Sequence, residues 1–359
     1  MRILLLSTQP PGSQTGVRVH CDILCEQASL AGHVVERVTH LDCSPRVRRV
    51  AVWCIRFAAL LGNLSRQIMP RVMYRWMSAH ACRGRTADLV AAQDIMVARG
   101  ARDAMGSGVP VLVTCHCSDP VEEVVRAARF TRLEGWIFGC WFRRQFEPLR
   151  DYVCVSEYAA GNLRRWVPAT SRITVIHNGV PLDDGQATKL DKPTGQQVIL
   201  NVGRLEPLKN QALLIRAMAH IPRSDVELWL VGDGPDRTAL QALAAELGVT
   251  ARLRFLGVRR DVRALMRLAD LYVHVSLMEN FPLVLPEAML SGCAVLALDA
   301  GGVCECFGPG TEEALLPTTI DATTLAATID GWLSAPSRLM KLRELQATFA
   351  SGRFTAQGM

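Results

Sequence analysis

Two carboxylates stand out in the stretch SLMENFPLVLPEAMLSG, where seven residues and two prolines separate Glu279 from Glu287. Prolines lack a backbone N–H and are tolerated near a helix start, so we expect FPLVLPEAMLSG to begin a helix that Gly292 ends. Pro286 should distort the first turn, because its missing N–H would have bonded about four residues back. Glu287 could accept both hydroxyls of a ribose, as acidic residues do in nucleotide sites, while Glu279 meets a sugar. Taken singly, either glutamate is also plausible as a solvated surface residue.

Two cations in the phrase NVGRLEPLKNQALLIRAM form a second candidate site. Arg204 and Lys209 flank a short loop before a predicted helix, in which Leu213, Ala217 and Ile221 recur at helical spacing. A guanidinium and an ammonium beside a helix N-terminus suit a diphosphate, the first as a fork and the second as a point charge. Surface cations are the alternative, but positive charge there opposes the helix dipole unless an anion is bound.

Three further strand ends carry weaker signals. The loop STQPPGSQTGV, which contains Gly16, could cradle a phosphate with backbone amides, although it lacks the Gly-Lys-Ser/Thr ending of a P-loop. An ordinary strand-to-helix turn is equally compatible with it. His116 lies just past an apolar strand in TCHCSDP, where a structural and an active-site role are about equally expected. The glycines of LVGDGP suit close approach by a planar ligand.

Short apolar runs alternate with amphipathic helical stretches along the whole chain, which predicts parallel sheets covered on both faces. The predicted strands lie in RILLLS, HVVERVTHL, ADLVAAQ, PVLVTCH, YVCVSE, RITVIHNG, QVILNVG, VELWLVGDG, RLRFLG, LYVHVS, AVLALDA and ALLPTT. They divide into two Rossmann-like halves. Because ligands of such sheets bind beyond the carboxyl ends of the strands, two facing sheets would share an interdomain cleft.

The length also favours two domains. A chain of 359 residues with 49% hydrophobic residues is too long for one ordinary core. The stretch VIHNGVPLDDGQATKLDKPTGQQ is polar and rich in turn signals, so the boundary should fall there. We predict an N-terminal domain over residues 1–178 and a C-terminal domain over residues 179–359.

Charge is distributed unevenly between the halves. Residues 1–180 contain 23 Arg and no Lys against 14 acidic residues, a net charge of +9, whereas residues 181–359 carry −3. Residues 46–85 hold nine arginines and no acid, interleaved with Trp53, Phe57, Met69, Met73, Tyr74, Trp76 and Met77. This segment could lie at an anionic membrane surface, and a solvated helical face is an equally weighted alternative. Nucleic acid is disfavoured, since no helix-turn-helix, zinc-finger or RNP-type signature occurs.

Compartment and cofactor class follow from the cysteines and the apolar runs. The apolar core of the N-terminal MRILLLSTQPPG is too short for a signal peptide, and no run reaches the roughly 20 residues of a membrane span. The twelve cysteines are scattered, without a C-x-x-C pair or a Cys/His cluster, so we expect reduced thiols and no metal site. A cytosolic protein is therefore expected, at most peripheral at the inner face of the membrane.

Taken together, the motifs resemble those of the family-4 retaining glycosyltransferases, which have the GT-B fold. The similarity rests on E-x7-E in ENFPLVLPE, on GRLEPLK, VGDGP, FLG and DLYVHVS, and on VSE followed by VIHNGV, all in family order. It covers nearly the whole chain, strongly over residues 151–307 and only loosely over residues 40–85. Each motif is weak alone, but the combination is specific.

The resemblance implies a role for each matching residue. Arg204 and Lys209 would hold the diphosphate of a nucleotide-sugar donor in the C-terminal domain, and Glu287 would bind its ribose. Glu279 and His116 would act at the transferred sugar as the catalytic residues. The remaining donor contacts would come from the phosphate loop and from the segment after Glu279, namely from Gly16, Asn280, Phe281 and Pro282. The N-terminal domain would bind the acceptor.

The resemblance also implies the chemistry. Departure of a nucleoside diphosphate needs stabilised negative charge, which Arg204 and Lys209 can supply without a metal or another cofactor. The absence of any D-x-D sequence agrees, because a metal-dependent transferase would need such an acidic site. Attack on the same face of the sugar, with a donor phosphate helping to deprotonate the acceptor, would retain configuration. The two-carboxylate scheme of glycosidases fits less well, since Glu287 is expected on the nucleoside side.

The favoured function is transfer of a sugar from a UDP- or GDP-sugar to a glycan or lipid-linked acceptor in polysaccharide or glycolipid assembly. A GT-B epimerase or hydrolase of nucleotide sugars is the first alternative, and a non-catalytic nucleotide-sugar-binding protein is the second. Family members usually finish with a long helix that crosses back onto the first domain. This chain ends at GRFTAQGM, so we expect either weaker domain closure or a truncated sequence.

Overall fold

The computed structural model describes residues 1–9, 16–116, 124–125, 128–182 and 187–359. These form two compact units, Met1–His177 and Asn178–Gly358. Each unit contains a six-stranded, entirely parallel sheet, so the prediction of two Rossmann-like parallel-sheet domains is confirmed. Three sequence signals lie outside the described residues: most of the loop before Gly16, the residues that follow His116, and the Asp184-Gly185 turn.

The first unit has the strand order β2-β1-β3-β4-β5-β6. Its strands are β1 (Arg2–Ser7), β2 (Val34–Thr39), β3 (Leu89–Ala92), β4 (Val111–Cys115), β5 (Asp151–Cys154) and β6 (Arg172–Val175). Its described helices are α1 (Gly16–Leu30), α2 (Pro45–Ala58), α3 (Asn63–Cys82), α4 (Ile95–Met105), α5 (Arg132–Phe146) and α6 (Glu157–Leu163). The connection from β2 to β3 crosses over β1, so β1 lies inside the sheet, next to both β2 and β3.

The second unit has the strand order β12-β11-β10-β7-β8-β9. Its strands are β7 (Gln197–Val202), β8 (Val226–Val231), β9 (Leu253–Gly257), β10 (Leu271–His274), β11 (Ala294–Leu298) and β12 (Leu315–Leu316). Its described helices are α7 (Gln211–His220), α8 (Arg237–Glu246), α9 (Val262–Leu268), α10 (Val284–Leu290), α11 (Ala322–Leu333) and α12 (Pro336–Arg353). Strands β7 and β10 are neighbours, which decides where the loops that follow them meet.

The strands form where the sequence has continuous apolar runs, because both faces of these sheets are covered. Every residue of β8, β10 and β11 is buried. Such strands lack the polar alternation of a sheet with one face in water. Large side chains such as Trp229, Trp332 and Phe138 fill the two cores.

Helix starts follow local capping signals in the sequence. The side chains of Ser44, Asp94, Ser156 and Asp321 each accept a hydrogen bond from a backbone N–H in the first turn of α2, α4, α6 and α11. Thr131 forms a capping box at the start of α5. A side-chain acceptor at this position satisfies one of the orphan N–H groups that every helix begins with. Among the helices of the described ranges, none is long and apolar enough to cross a membrane.

Helices α3 and α4 pack closely because Gly100 has no side chain. A methyl group on Gly100 would lie 2.7 Å from Ser78 Cβ and 2.8 Å from the backbone nitrogen of Ala79, and still closer to the carbonyl oxygen of Arg75. All three belong to α3. Backbone atoms cannot move aside without separating the two helices.

We therefore predict that Gly100→Ala lowers the free energy of unfolding by about 1–3 kcal/mol, the usual cost of overpacking. Gly161→Ala is the matched control, since Gly161 lies in α6 and a methyl group there meets no atom within 4 Å. That change should stabilise by about 0.5–1 kcal/mol, the difference in helix propensity. Urea unfolding of both variants measures the difference, and equal stabilities would contradict the packing argument.

Candidate functional site

In the second unit, the loops after β7 and β10 lie side by side. Neighbouring parallel strands end at the same edge of a sheet, so their loops begin close together. The backbone N–H of Leu277 donates to the carbonyl oxygen of Leu208 at 2.9 Å, which links the two loops directly. On its other side, the carbonyl of Glu279 accepts from the N–H of Gly302 at 2.9 Å. The backbone of Glu279 is therefore held beside the loop that carries Lys209.

Lys209, Glu279 and His274 form one compact charged cluster at this edge. The ammonium of Lys209 lies 2.5 Å from Glu279 Oε1, and His274 Nε2 lies 3.2 Å from the same oxygen. The side chains are 24%, 13% and 3% exposed, for Lys209, Glu279 and His274 respectively. Burial by itself would raise the pKa of Glu279, but hydrogen bonding and charge from His274 and Lys209 lower it to about 2. Glu279 is consequently a carboxylate at any physiological pH.

The position of Lys209 results from a tight turn before α7. Pro207–Lys209 form a short 3₁₀ helix, and Asn210 follows in the left-handed region with φ of 53°. Asn tolerates that region better than most residues with a side chain. The side-chain amide of Gln211 then donates to the carbonyl of Arg204 at 3.0 Å, which closes the loop.

Arg204 lies on the same loop but outside the cluster. Its Nε is 2.9 Å from Glu206 Oε2, and its side chain is 67% exposed. Both predicted phosphate-binding cations thus have a carboxylate partner in this structure, Glu206 for Arg204 and Glu279 for Lys209. A diphosphate would have to replace these two partners.

Glu287 lies in the first turn of helix α10, which is the position predicted from the sequence. Its side chain is half-buried. Pro286 is the third residue of this helix. The prediction that Pro286 removes a helical hydrogen bond is wrong, because the first four N–H groups of any helix have no intrahelical acceptor. Gly292 follows the C-cap with φ of 75°. Gly292 therefore ends the helix region in a conformation that favours glycine.

The segment between the two glutamates is fixed by the core. Phe281 is buried, and its ring packs against Phe354 with centroids 5.2 Å apart. Pro282 is also buried, while Asn280 is half-buried. A ligand contact from Phe281 would therefore come from its backbone N–H rather than from its ring.

The glycines of VGDGP have a packing role that the sequence did not indicate. A methyl group on Gly232 would overlap the carbonyl of Gly203, and one on Gly234 would lie 2.7 Å from the backbone nitrogen of Leu205. Gly232 also has φ of 129°. The turn after β8 thus lies directly on the loop after β7, and glycine is required there by the neighbouring backbone, whether or not a ligand approaches.

In the first unit, His116 follows β4 and lines a cavity of about 590 Å³. Thr8, Gln9 and Val17 line the same cavity, so the region around Gly16, which begins α1, lies close to His116. The cavity is otherwise lined mainly by apolar and aromatic residues, among them Tyr74, Ile95, Met96, Phe142, Phe146 and Leu163.

A short hydrogen-bonded chain orients His116. Its Nε2 donates to Gln93 Oε1 at 2.8 Å, and Gln93 Nε2 donates to Thr114 Oγ1 at 3.4 Å. The ring of His20 meets that of His116 edge-on, with centroids 4.8 Å apart. Burial, followed by the charge of His20, lowers the pKa of His116 to about 3. The neutral ring therefore carries its proton on Nε2 and a lone pair on Nδ1.

Sequence reasoning missed His274 and Gln93 as members of these sites. Both are polar residues at the carboxyl end of an apolar strand: His274 is the last residue of β10, and Gln93 directly follows β3. The same criterion had selected His116. Applied to every strand end, it would have found all three.

The basic segment 46–85 forms helices α2 and α3, and the apolar side chains of the two helices differ in burial. On α3, Met73, Tyr74 and Trp76 pack against the core and Met77 is buried. On α2, Trp53 is 66% exposed, and its ring stacks on the exposed Phe57 with centroids 5.6 Å apart. We call the exposed residues of α2 and the turn after it the α2 face, which comprises Arg46, Arg48, Arg49, Val50, Val52, Trp53, Arg56, Phe57, Leu60 and Leu61.

Comparison with family models decides the family. The model described as "Glycosyl transferases group 1" matches residues 184–348, and "Glycosyltransferase Family 4" matches residues 14–184. The chain belongs to the family-4 glycosyltransferases. The resemblance inferred from E-x7-E and the accompanying motifs is confirmed.

Two curated glycosyltransferases show how far the sequence similarity extends along the chain. A lipopolysaccharide core biosynthesis glycosyltransferase of Rhizobium meliloti (strain 1021) is 32% identical over 171 residues, covering 48% of this chain and 49% of that protein. A D-inositol 3-phosphate glycosyltransferase of Mycobacterium sp. (strain KMS) is 36% identical over 197 residues, covering 50% of this chain and 44% of that protein. The chain spans about half the length of the curated relatives it matches.

Solved structures agree on the fold. HepE of Anabaena, crystallised with UDP and glucose, has a TM-score of 0.71 at 21% identity, over 99% of this chain and 96% of that chain. Sucrose-phosphate synthase of Thermosynechococcus elongatus has a TM-score of 0.76 at 21% identity, over 99% and 95% of the two chains. The prediction of a GT-B fold is confirmed by these neighbours.

The lowered pKa of His116 predicts a pH-dependent stability. The unfolded chain takes up this proton near pH 6.5 and the folded protein only near pH 3, so acid favours unfolding between these values. His116 therefore contributes its full stability above pH 6.5 and loses it as the pH falls toward 3.

We expect the free energy of unfolding of the parent to fall more steeply than that of His116→Gln, by up to about 1.4 kcal/mol per pH unit. Urea unfolding across this pH window measures the difference. His220→Gln serves as the control, because His220 is exposed at the end of α7. If parent and His116→Gln have parallel profiles, the ring titrates as it would in water.

Proposed function

We propose that this family-4 chain transfers a sugar from a nucleotide-sugar donor to a glycan or lipid-linked acceptor, with retention of configuration. The cluster of Lys209, Glu279 and His274 at adjoining strand ends is the observation that carries the proposal. The relatives support it: one is named for lipopolysaccharide core biosynthesis, and HepE was crystallised with UDP-glucose. UDP- and GDP-sugars are the donors we consider first.

Donor binding would exchange the partners of two cations. Lys209 leaves Glu279 and Arg204 leaves Glu206, and both turn to the diphosphate. A diphosphate offers several oxygens and more negative charge than one carboxylate, which favours the exchange. Glu287 then binds the ribose hydroxyls. Glu279, with the backbone at Asn280, Phe281 and Pro282, faces the sugar, and the region of Gly16 contacts the phosphates.

The leaving group is stabilised by Arg204 and Lys209 without a metal or another cofactor. Within the described ranges, no three His, Cys, Asp or Glu side chains lie close enough together to hold a metal ion. The bond between the anomeric carbon and the phosphate oxygen breaks, and the acceptor oxygen bonds to the same face of the sugar. The released phosphate oxygen takes the acceptor's proton. The main contribution to the reaction rate comes from the positive charges of Arg204 and Lys209, which are positioned beside the departing diphosphate before it leaves.

Glu279 is unsuited to proton donation in this scheme. With a pKa lowered to about 2 it stays ionised, whereas the general acid of a glycosidase needs a raised pKa. Its negative charge instead stabilises positive charge that develops on the sugar ring, or holds a sugar hydroxyl. The neutral His116 contacts the transferred sugar, where its ring adds no positive charge.

Peripheral attachment to the cytoplasmic face of a membrane is the second part of the proposal. The α2 face combines a stacked aromatic pair and the exposed Leu60 and Leu61 with four arginines. Within the described chain, none of the guanidinium groups of Arg46, Arg48, Arg49 and Arg56 forms an ion pair. A purely solvated helical face would not need exposed Trp and Leu. Apolar side chains in the interface and guanidinium groups on lipid phosphates fit an anionic leaflet and a lipid-linked acceptor.

Donor binding is tested with a thermal-shift panel of UDP-, GDP- and ADP-sugars. A ligand at 100 times its dissociation constant stabilises by about 2.7 kcal/mol. We expect Lys209→Ala and Glu287→Ala to abolish the shift, and His116→Ala to keep it while turnover falls. Lys341→Ala, an exposed charge change on α12, should behave as the parent.

Equal shifts in the parent and all the variants would overturn the donor site. Sugar release without acceptor at the full rate would favour a hydrolase or epimerase, and a donor-induced shift without turnover would favour a non-catalytic binding protein.

Membrane attachment is tested by sedimentation with liposomes that contain anionic lipid. Replacing Arg46, Arg48, Arg49 and Arg56 by Ala removes the lipid-phosphate contacts, each worth about 1 kcal/mol, so binding should fall at least tenfold. Trp53→Ser with Phe57→Ser should weaken binding at high salt as well, because that contribution is not electrostatic. The control removes four exposed cations elsewhere, Arg216, Arg260, Lys341 and Arg353. Unchanged sedimentation of the α2 variants would exclude this face.

A further inference from the structure

His274 is a buried polar residue to which the donor-site scheme gives no role. It ends β10, is 3% exposed, and stacks on Tyr272 with ring centroids 6.3 Å apart. Its Nε2 lies 3.2 Å from Glu279 Oε1, while its Nδ1 has no hydrogen-bond partner among the residues that the structure describes. The imidazole therefore directs its hydrogen bonding at the carboxylate of Glu279.

Two donors share one oxygen of Glu279. Lys209 Nζ and His274 Nε2 both contact Oε1, yet they differ in freedom of movement. Lys209 is a flexible side chain on a surface loop, partly exposed. His274 lies on a central strand that pairs with β11 on one side and β7 on the other. Only Lys209 can leave.

Without His274, the departure of Lys209 would leave the buried carboxylate of Glu279 with no hydrogen-bond donor from this cluster. Glu279 is mostly buried, so a carboxylate left there without any hydrogen-bond donor would carry a large desolvation penalty. Its backbone is already fixed, since its carbonyl accepts from Gly302 N–H at 2.9 Å. The side-chain torsions alone are left to vary, and a hydrogen bond from a rigid donor restrains them.

We propose that His274 is a positioning residue, which holds the Glu279 carboxylate in place while Lys209 changes its partner from Glu279 to the donor's diphosphate. The inference rests on the proposed function for the role of Lys209. His274 has two effects. It keeps Glu279 aimed at the sugar, and it reduces the cost of releasing Lys209.

The experiment uses the full chain and inorganic pyrophosphate, a probe that depends on neither the base nor the sugar. We expect His274→Ala to weaken pyrophosphate binding about tenfold, because about 1.4 kcal/mol more is needed to free Lys209. His274→Gln should stay within about threefold of the parent, since its amide N–H can still donate to Glu279. His220→Ala, at an exposed histidine, should match the parent.

A double-mutant cycle separates positioning from general damage to the fold. In the Glu279→Gln background the buried charge is gone, so His274→Ala should no longer affect pyrophosphate binding. A purely structural role would give the same loss in both backgrounds. Equal affinities of the parent and His274→Ala, or additive losses, overturn the inference.

A measurement without ligand keeps the inference testable if pyrophosphate does not bind. Carboxyl NMR of the parent and His274→Ala should show the pKa of Glu279 rising from about 2 when the histidine is removed. An unchanged value would show that His274 does not act on Glu279. Failure of the parent to bind pyrophosphate, with the NMR response intact, would instead count against the proposed function.

Discussion

A single carboxylate oxygen, Glu279 Oε1, is the point on which the charged cluster of the second unit depends. It lies in a mostly buried position, where an unpaired charge would be costly, and it is held by Lys209 and His274. This arrangement requires that β7 and β10 be neighbours in the sheet, because each strand delivers one part of the cluster. The same ion pair holds the ammonium of Lys209 at this edge of the sheet, where we propose that a diphosphate binds.

The loops around this cluster are held by contacts that involve no ligand. Gly232 and Gly234 allow the turn after β8 to lie on the backbone of Gly203 and Leu205. Asn210 makes the tight turn that ends the loop before α7. The proposed donor site is therefore preorganised by packing, which is the condition under which electrostatic stabilisation of a leaving group is most effective.

The first unit offers a different electrostatic environment. Its cavity is lined mainly by apolar side chains and holds His116 in a neutral form, oriented through Gln93. In the proposed reaction, a neutral ring could hydrogen-bond to a sugar hydroxyl without repelling positive charge that develops on the sugar. On the outside of the same unit, α2 presents aromatic and aliphatic side chains among its arginines, whereas α3 directs similar residues into the core. Composition alone could not separate these two helices.

The sequence by itself determined the elements, the family and the positions of the motifs. Apolar runs predict the strands because a buried parallel strand is apolar on both faces, and E-x7-E places Glu279 before a helix and Glu287 in its first turn. Tertiary structure alone decided which charges meet. Lys209 and Glu279 are 70 residues apart, and only the strand order brings them together. It also assigned Arg204 to Glu206, gave His274 its partner, and showed that the VGDGP glycines serve backbone packing. Such pairings depend on long-range sheet order, which a local pattern does not encode.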